Sequence, residues 1–505
     1  MAAAAFMLGI DVARAGLGLA VVAGDGTVVE SLRRAYGGDP DQPADPQDWW
    51  RAARTGIKEL LRRAKLRPDQ IRCIGVTGDE ATVLVDKDGK SLCHATLGPD
   101  PRVASMVDQV VTRVGARNLL NLAGGPATAS CTAAKLLWIR ANEKRVWHDC
   151  HQVLSAKDFL RLRLTDTLGT DANEATGTLL FNPRTRTWSK QLATLLEINS
   201  EWLPAVANGQ AIAGRVTDAA ARDAGLCAGT PVITGAAHGS ALAVACAVLA
   251  PGSAMIELGG SGALFVPSAE PLKETQPRLL STCHAMAGMW ALATNELAGS
   301  TALDWLTEHL VASEVSAARR AGRDPLEVLS ELASEVVPGA DGLLHLPPVP
   351  GFPGALVGLA RRHGPGHLIR AAMEGGALAC RQTLALLGEL RKFPDRLVVA
   401  GPGATSSLWC QIMADALDRT VHVVPVPEAP AVGVAILAST AVGVHKSVED
   451  ACHKMVKAKH AFHPRRAAVE AYAALVPNIG KLQGALHPPV PVTTALVAKS
   501  SVPVV

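Results

Sequence analysis

Two glycine-rich turns and one histidine hold the residues best suited to chemistry in this chain. Leu258-Gly259-Gly260-Ser261-Gly262 joins two strand-like runs, and Gly401-Pro402-Gly403-Ala404 follows the run RLVVA and leads through Ser407 into a helical pattern. Successive backbone N–H groups in such turns make an anion-binding nest, and a helix start adds further amide donors. His238 stands in Gly235-Ala236-Ala237-His238-Gly239-Ser240. An unperturbed imidazole titrates at about 6.5, so it can accept a proton near neutrality. Ser261 with His238 suggests a hydrolase, but no Gly-x-Ser-x-Gly elbow or orienting acid accompanies them. Cys93-His94, Cys283-His284 and Cys452-His453 are adjacent pairs, too close in sequence to ligate one metal easily, and no Cys-x-x-Cys occurs.

The elements that position these residues read as α/β. FMLGIDV, a glycine turn, LGLAVVAG, an Asp25-Gly26 turn and TVVESLRR form strands joined by hairpins. A helix is expected around Trp49–Leu66, followed by a buried strand IRCIGVTG and a further strand ATVLVDKDG. A second unit opens near residue 250 with strand, glycine turn and strand. It continues through a long helix from about Gly366 to Leu390 into a βαβα run, whose glycine loop lies at a strand's carboxyl end, where open α/β sheets bind ligands. No sequence repeat beyond this shared opening is evident. The expected division is residues 1–248 and 249–485, with a flexible Pro-, Ser- and Thr-rich tail at 486–505.

At 505 residues the chain is too long for a single core. Its net charge of +3, with acids and bases interleaved, does not mark a nucleic-acid binder. No apolar run is long enough for a membrane helix, and the start lacks the basic leader of a signal peptide. Scattered cysteines point to reduced thiols in a cytoplasmic protein.

Ala400–Val421 resembles the second signature of the FGGY carbohydrate kinase family, with Gly401, Gly403, Ala404, Ser407, Trp409, Gln411, Ala414 and Asp415 in place. Ser130–Glu143 is similar to the first signature through Lys135, Trp138 and Asn142, and the resemblance runs from about residue 8 to about residue 475, nearest to xylulokinases. It implies two actin-like (ribonuclease H-like) ATPase domains around a central cleft. ATP would lie mainly on the second, against Gly259, Gly260, Ser261, Gly262, Gly401, Gly403, Ala404 and Ser407. A sugar, pentulose or polyol would lie on the first, near Asp79, Glu80, Asp100 and Arg102. Magnesium would lie near Asp11, and a homodimer is expected.

The resemblance fails where phosphoryl groups would be handled. The family's Asp-x-Gly-Thr is Asp11-Val12-Ala13-Arg14 here, and Gly18 or a neighbour stands where a basic residue is expected. The second hairpin has lost its threonine. His238 takes the place of the catalytic aspartate, or Gly239 does in another register. The Gly-Glu-Arg-x-Pro segment is shortened around Gly351–Gly354. His238 is then either a substitute base or a polar residue lining a cleft that no longer reacts. Asp79–Glu80 is a sugar contact or a solvated turn, and Asp100–Arg102 a pocket or an ion pair holding its loop. Two functions follow: an ATP-dependent sugar kinase with altered residues, or a regulatory pseudokinase that binds nucleotide or a sugar-like ligand.

Overall fold

The computed structural model describes residues 5–14, 16–37, 42–259, 262–272, 279–295, 299–347, 354–457 and 460–486. Gly260, Ser261, the shortened segment at 348–353 and the tail from 487 onward lie outside these.

Three strands open the chain as an antiparallel meander: β1 (Phe6–Ala13), β2 (Gly16–Ala23) and β3 (Val28–Arg34). α1 (Pro46–Ala64) begins where Asp45 caps the Gln47 N–H and Pro46 pre-sets the first turn, and it ends at left-handed Lys65. It leads to β4 (Ile71–Gly78), which lies parallel to β1 on the edge away from β2. After α2 (Ala156–Thr165) come β5 (Ile212–Arg215), β6 (Pro231–Ile233), β7 (Ala236–Ala237) and α3 (His238–Ala245). The sheet runs β5-β6-β4-β1-β2-β3, with β7 beside the end of β4. β1 and β2 are almost wholly buried because helices cover both faces, so they read as continuous apolar runs rather than alternating ones.

The second sheet repeats the plan. β8 (Ser253–Glu257), β9 (Ala263–Ser268), β10 (Leu280–Cys283) and β11 (Trp290–Asn295) pair antiparallel, and β12 (Arg396–Ala400) and β13 (Val421–Val423) add in parallel beside β8. β14 (His460–Phe462) closes the edge, giving β10-β11-β9-β8-β12-β13-β14. α4 (Pro365–Glu389) and α5 (Ser407–Leu417) pack into the core of this half through residues such as Met373, Ala377, Trp409 and Met413.

α6 (Ala429–Ala441) follows β13 in the chain yet packs on the first sheet, against β1, β2, β4 and α3. Small residues allow this. A Cβ on Gly9 would collide with the Ala431 carbonyl, and one on Gly433 with the Ala241 carbonyl, so backbones meet where any side chain would hold them apart. Periodicity alone gave the helix but not its partner sheet.

Candidate active site

The carboxyl ends of β1 and β4 carry Asp11 and Asp79 towards α3, whose first residue is His238. His238 Nδ1 lies 3.3 Å from Asp11 Oδ1 and 3.4 Å from Asp79 Oδ1, and its Nε2 lies 3.5 Å from Glu257 Oε1 at the end of β8. Three carboxylates from three strands, drawn from both sheets, thus surround one imidazole. Burial alone would push His238 down, and a helix start also disfavours a cation there. Asp11 and Asp79 outweigh both and hold it well above the usual imidazole value. Of the two readings of His238, a polar residue lining the cleft fits these surroundings better than a substitute base, since a protonated imidazole has no lone pair with which to take a proton.

Asp79 is differently placed. Its Oδ2 accepts the Arg14 N–H at 2.7 Å, and its own N–H donates to the Val12 carbonyl at 2.9 Å, which fixes the carboxylate beside the β1–β2 turn. A quarter of the side chain, 25%, remains open. Burial raises its carboxyl, against the pull of the His238 charge. It places a carboxylate 3.4 Å from His238, whose own motif supplies none. Glu257 was overlooked altogether. Its signal was present in the sequence as a lone acid closing a buried strand just before a glycine turn.

Asp11 is fully buried, and its Oδ2 has no hydrogen-bond partner among the described residues. No group of three His, Cys, Asp or Glu among those residues is arranged to hold a metal. The orphaned Asp11 oxygen does fit an ion that is carried in by phosphates, since magnesium commonly takes one or two carboxylates plus phosphate oxygens.

The two glycine turns of the second half meet. The Leu258 N–H donates to the Ala400 carbonyl at 2.8 Å and the Gly403 N–H to the Leu258 carbonyl at 2.7 Å, so the ends of β8 and β12 form one backbone edge. Gly259 has a φ of 119° and abuts Pro402. A Cβ at Gly403 would lie 2.6 Å from the Trp409 ring, so this glycine and this tryptophan pack as a unit. Gly262 directly precedes the return strand β9, Ala404 lies in a short 3₁₀ turn, and Ser407 is exposed at the start of α5, behind the cap Ser406. Asp415 is structural, bound by Arg465 at 2.6 Å. The fit to a nucleotide therefore rests on backbone: two turns at the carboxyl ends of adjacent parallel strands.

The remaining predicted residues lie apart from the cluster. Glu80 lines a cavity of about 30 Å³ together with Ser130, Glu174 and Trp188, which Asp79 does not border. Asp100 and Arg102 bind each other, Nη2 to Oδ2 at 2.6 Å, and the guanidinium stacks 4.4 Å from the Trp138 ring. Lys135 braces the same loop, donating to the Gly98 carbonyl at 2.8 Å. These residues line a separate pocket of about 330 Å³ that no member of the His238 cluster borders. Two of the motif residues, Lys135 and Trp138, thus support that loop.

Beneath the His238 turn lies a buried ionic network. Lys157 contacts Asp158 at 2.7 Å and Asp171 at 2.8 Å, and Arg161 donates to the Thr234 carbonyl at 3.1 Å, just before Gly235.

Residues 6–246 match the N-terminal domain of the FGGY family of carbohydrate kinases, and residues 254–442 match its C-terminal domain. The crystal structure of xylulose kinase from Rhodospirillum rubrum is 30% identical, with a TM-score of 0.81 over 96% of this chain and 99% of that one. Xylulose kinase of Escherichia coli is 28% identical over 87% of this chain and 91% of its own length. Gluconokinase of Bacillus licheniformis is 25% identical over 95% and 96%. The paired sheets are those of a two-domain actin-like ATPase fold. With both domains matched in order across most of its length, the chain belongs to the FGGY family of carbohydrate kinases.

Proposed function

We propose that this protein transfers the terminal phosphoryl group of ATP to a hydroxyl of a sugar, pentulose or polyol, with Asp79 as the proton acceptor. The observation that carries this reading is the presence of a partly open carboxylate, Asp79, 3.4 Å from the residue that replaced the family's aspartate. In the step, the substrate hydroxyl gives its proton to Asp79 and its oxygen bonds to the γ-phosphorus. The bond from phosphorus to the ADP oxygen breaks. The His238 imidazolium offsets the charge of Asp11 and Glu257 and keeps Asp79 oriented. Magnesium, when bound with the phosphates against Asp11, supplies the positive charge that eases their approach. The backbone edge at Gly259 and Gly401–Gly403 supports nucleotide binding on the second half. The xylulose kinases among the relatives support a pentulose substrate. We place the domain division near residue 248, between α3 and β8, with α6 returning to the first half.

ADP release from Mg-ATP is measured with ketoses, polyols and aldonates as acceptors. One of the neutral acceptors should support turnover, and Asp79→Asn should lose about 10²–10⁴-fold in kcat, the usual contribution of a positioned base, with an unchanged melting temperature. If Asp79→Asn keeps wild-type kcat, the assignment fails. No turnover on any acceptor, with ATP still raising the melting temperature, would identify a nucleotide-binding regulatory protein instead.

A further inference from the structure

Opposite residues of an antiparallel pair point to the same face. Asp11 is opposite Gly18, and Gly18 is opposite Arg33, so these three form one row across β1, β2 and β3. The middle of that row has no side chain. Neighbouring strands lie about 4.8 Å apart, so an arginine on β3 can lean over β2 towards the turn that follows Asp11. It does so here. Arg33 Nη1 donates to the carbonyl of Gly16, which closes the β1–β2 turn, at 3.3 Å.

The position is secured by the turn that leads into α6, far along the chain but packed on the same sheet. Arg33 Nε and Nη2 donate to the two oxygens of Glu428 at 3.0 Å and 2.6 Å. Glu428 sits directly before α6, in the left-handed region at φ 50°. A Cβ at Gly18 would collide with the Glu428 carboxylate and come within 3.4 Å of Arg33 Nη2. The glycine on β2, the arginine on β3 and the glutamate before α6 are therefore mutually dependent: Gly18 leaves the space that the ion pair fills. A guanidinium has five N–H donors. Three are engaged by Glu428 and Gly16 among the described residues, which leaves two. The Arg33 side chain is 36% exposed, against 13% for its partner, so the bond to Glu428 seats the cation without burying it.

We propose that Arg33 is the phosphate-binding cation of this chain, seated on Glu428 and presented across the β1–β2 turn to the terminal phosphates of a nucleoside triphosphate, from the place left open at Gly18. The inference rests on the kinase reading for the identity of the ligand. It adds a charge that the sequence, read position by position, counts as lost. Arginine suits the task because it stays charged and its planar fork can hold a carboxylate on one edge and phosphate oxygens on another.

The test compares ATP with adenosine, using calorimetric titration of the full-length protein. Arg33→Ala should weaken ATP binding about 10- to 100-fold, the range of a charge-assisted hydrogen bond, and leave adenosine binding as it was. Arg33→Lys should recover part of the loss, and Glu428→Gln should fall between, since it loosens the seat and keeps the cation. Equal ATP affinities in Arg33→Ala and wild type would overturn the assignment. So would ATP and adenosine falling by the same factor, which marks general damage to the nucleotide half, or a wild type that binds no ATP. The kinase reading fails separately. If ATP binding depends on Arg33 but no acceptor yields ADP, the phosphate site stands and the reaction does not. If ADP is released and Arg33→Ala binds ATP normally, the reverse holds.

Discussion

At the cleft end of the first sheet, β1 and β4 deliver Asp11 and Asp79 to His238; at the matching end of the second, β8 and β12 run out into Gly259 and Gly401–Gly403. The strand plan is the same in both, a meander with two parallel strands added. One end is equipped with charged side chains and the other with glycine backbone, Glu257 excepted. The imidazoles follow the same division. His238 is held charged by carboxylates, whereas burial pushes His284 and His345, both in the second half, down to about 4. The contrast shows that topology fixes where a site can be, while the residue that ends each strand decides whether side chains or amides occupy it.

The sharpest way to break this contrast is to neutralise the charge beneath the first site. Lys157 is buried between Asp158 and Asp171. Lys157→Met leaves those acids without their ammonium and should cost about 3–5 kcal/mol in urea unfolding. A loss under about 1 kcal/mol would mean that packing, not this ion pairing, holds the first half.

Acidification probes the opposite half. An imidazole with a native value near 4 and an unfolded value near 6.5 contributes stability that is full above about 6.5 and is lost as pH falls towards 4. At pH 5 the loss for His284 should be roughly 2 kcal/mol relative to neutral pH. His284→Asn keeps an acceptor for the Met286 N–H and removes this titration, so its melting temperature should fall less between pH 7 and pH 5 than that of wild type. An identical fall in both proteins would remove His284 from the acid response.

The smallest effect is expected at Arg102, whose ion pair and stacking on Trp138 are partly exposed. Arg102→Ala should cost about 1 kcal/mol or less and leave sugar binding and turnover near wild type. A large rise in KM for the acceptor would return the 330 Å³ pocket to the substrate path and weaken the view that Asp79 and His238 mark it.

Much of this was legible from the residues. The hairpins, α1, α4, α5 and the glycine turns all follow from patterns local in sequence, because apolar periodicity, caps and turn residues act within a few positions. Side-chain pairing across the fold was not legible. The residues left Asp100 and Arg102 as either a pocket or an ion pair, and only the fold shows them bound to each other, while Glu80 lines a cavity that Asp79 does not border. The position near Gly18 read as a missing basic residue, yet Arg33 lies opposite Gly18 on the next strand.

By itself, the amino-acid order determined the succession of strands and helices, the family signatures, and the replacement of an aspartate by His238. Only the tertiary structure decided which acids surround that histidine and raise its pKa, and that α6 crosses back to the first sheet. Those outcomes depend on groups brought within about 3.5 Å from positions scores to hundreds of residues apart. Coulomb attraction and close packing act over distance in space, which the spacing of residues along a chain does not encode.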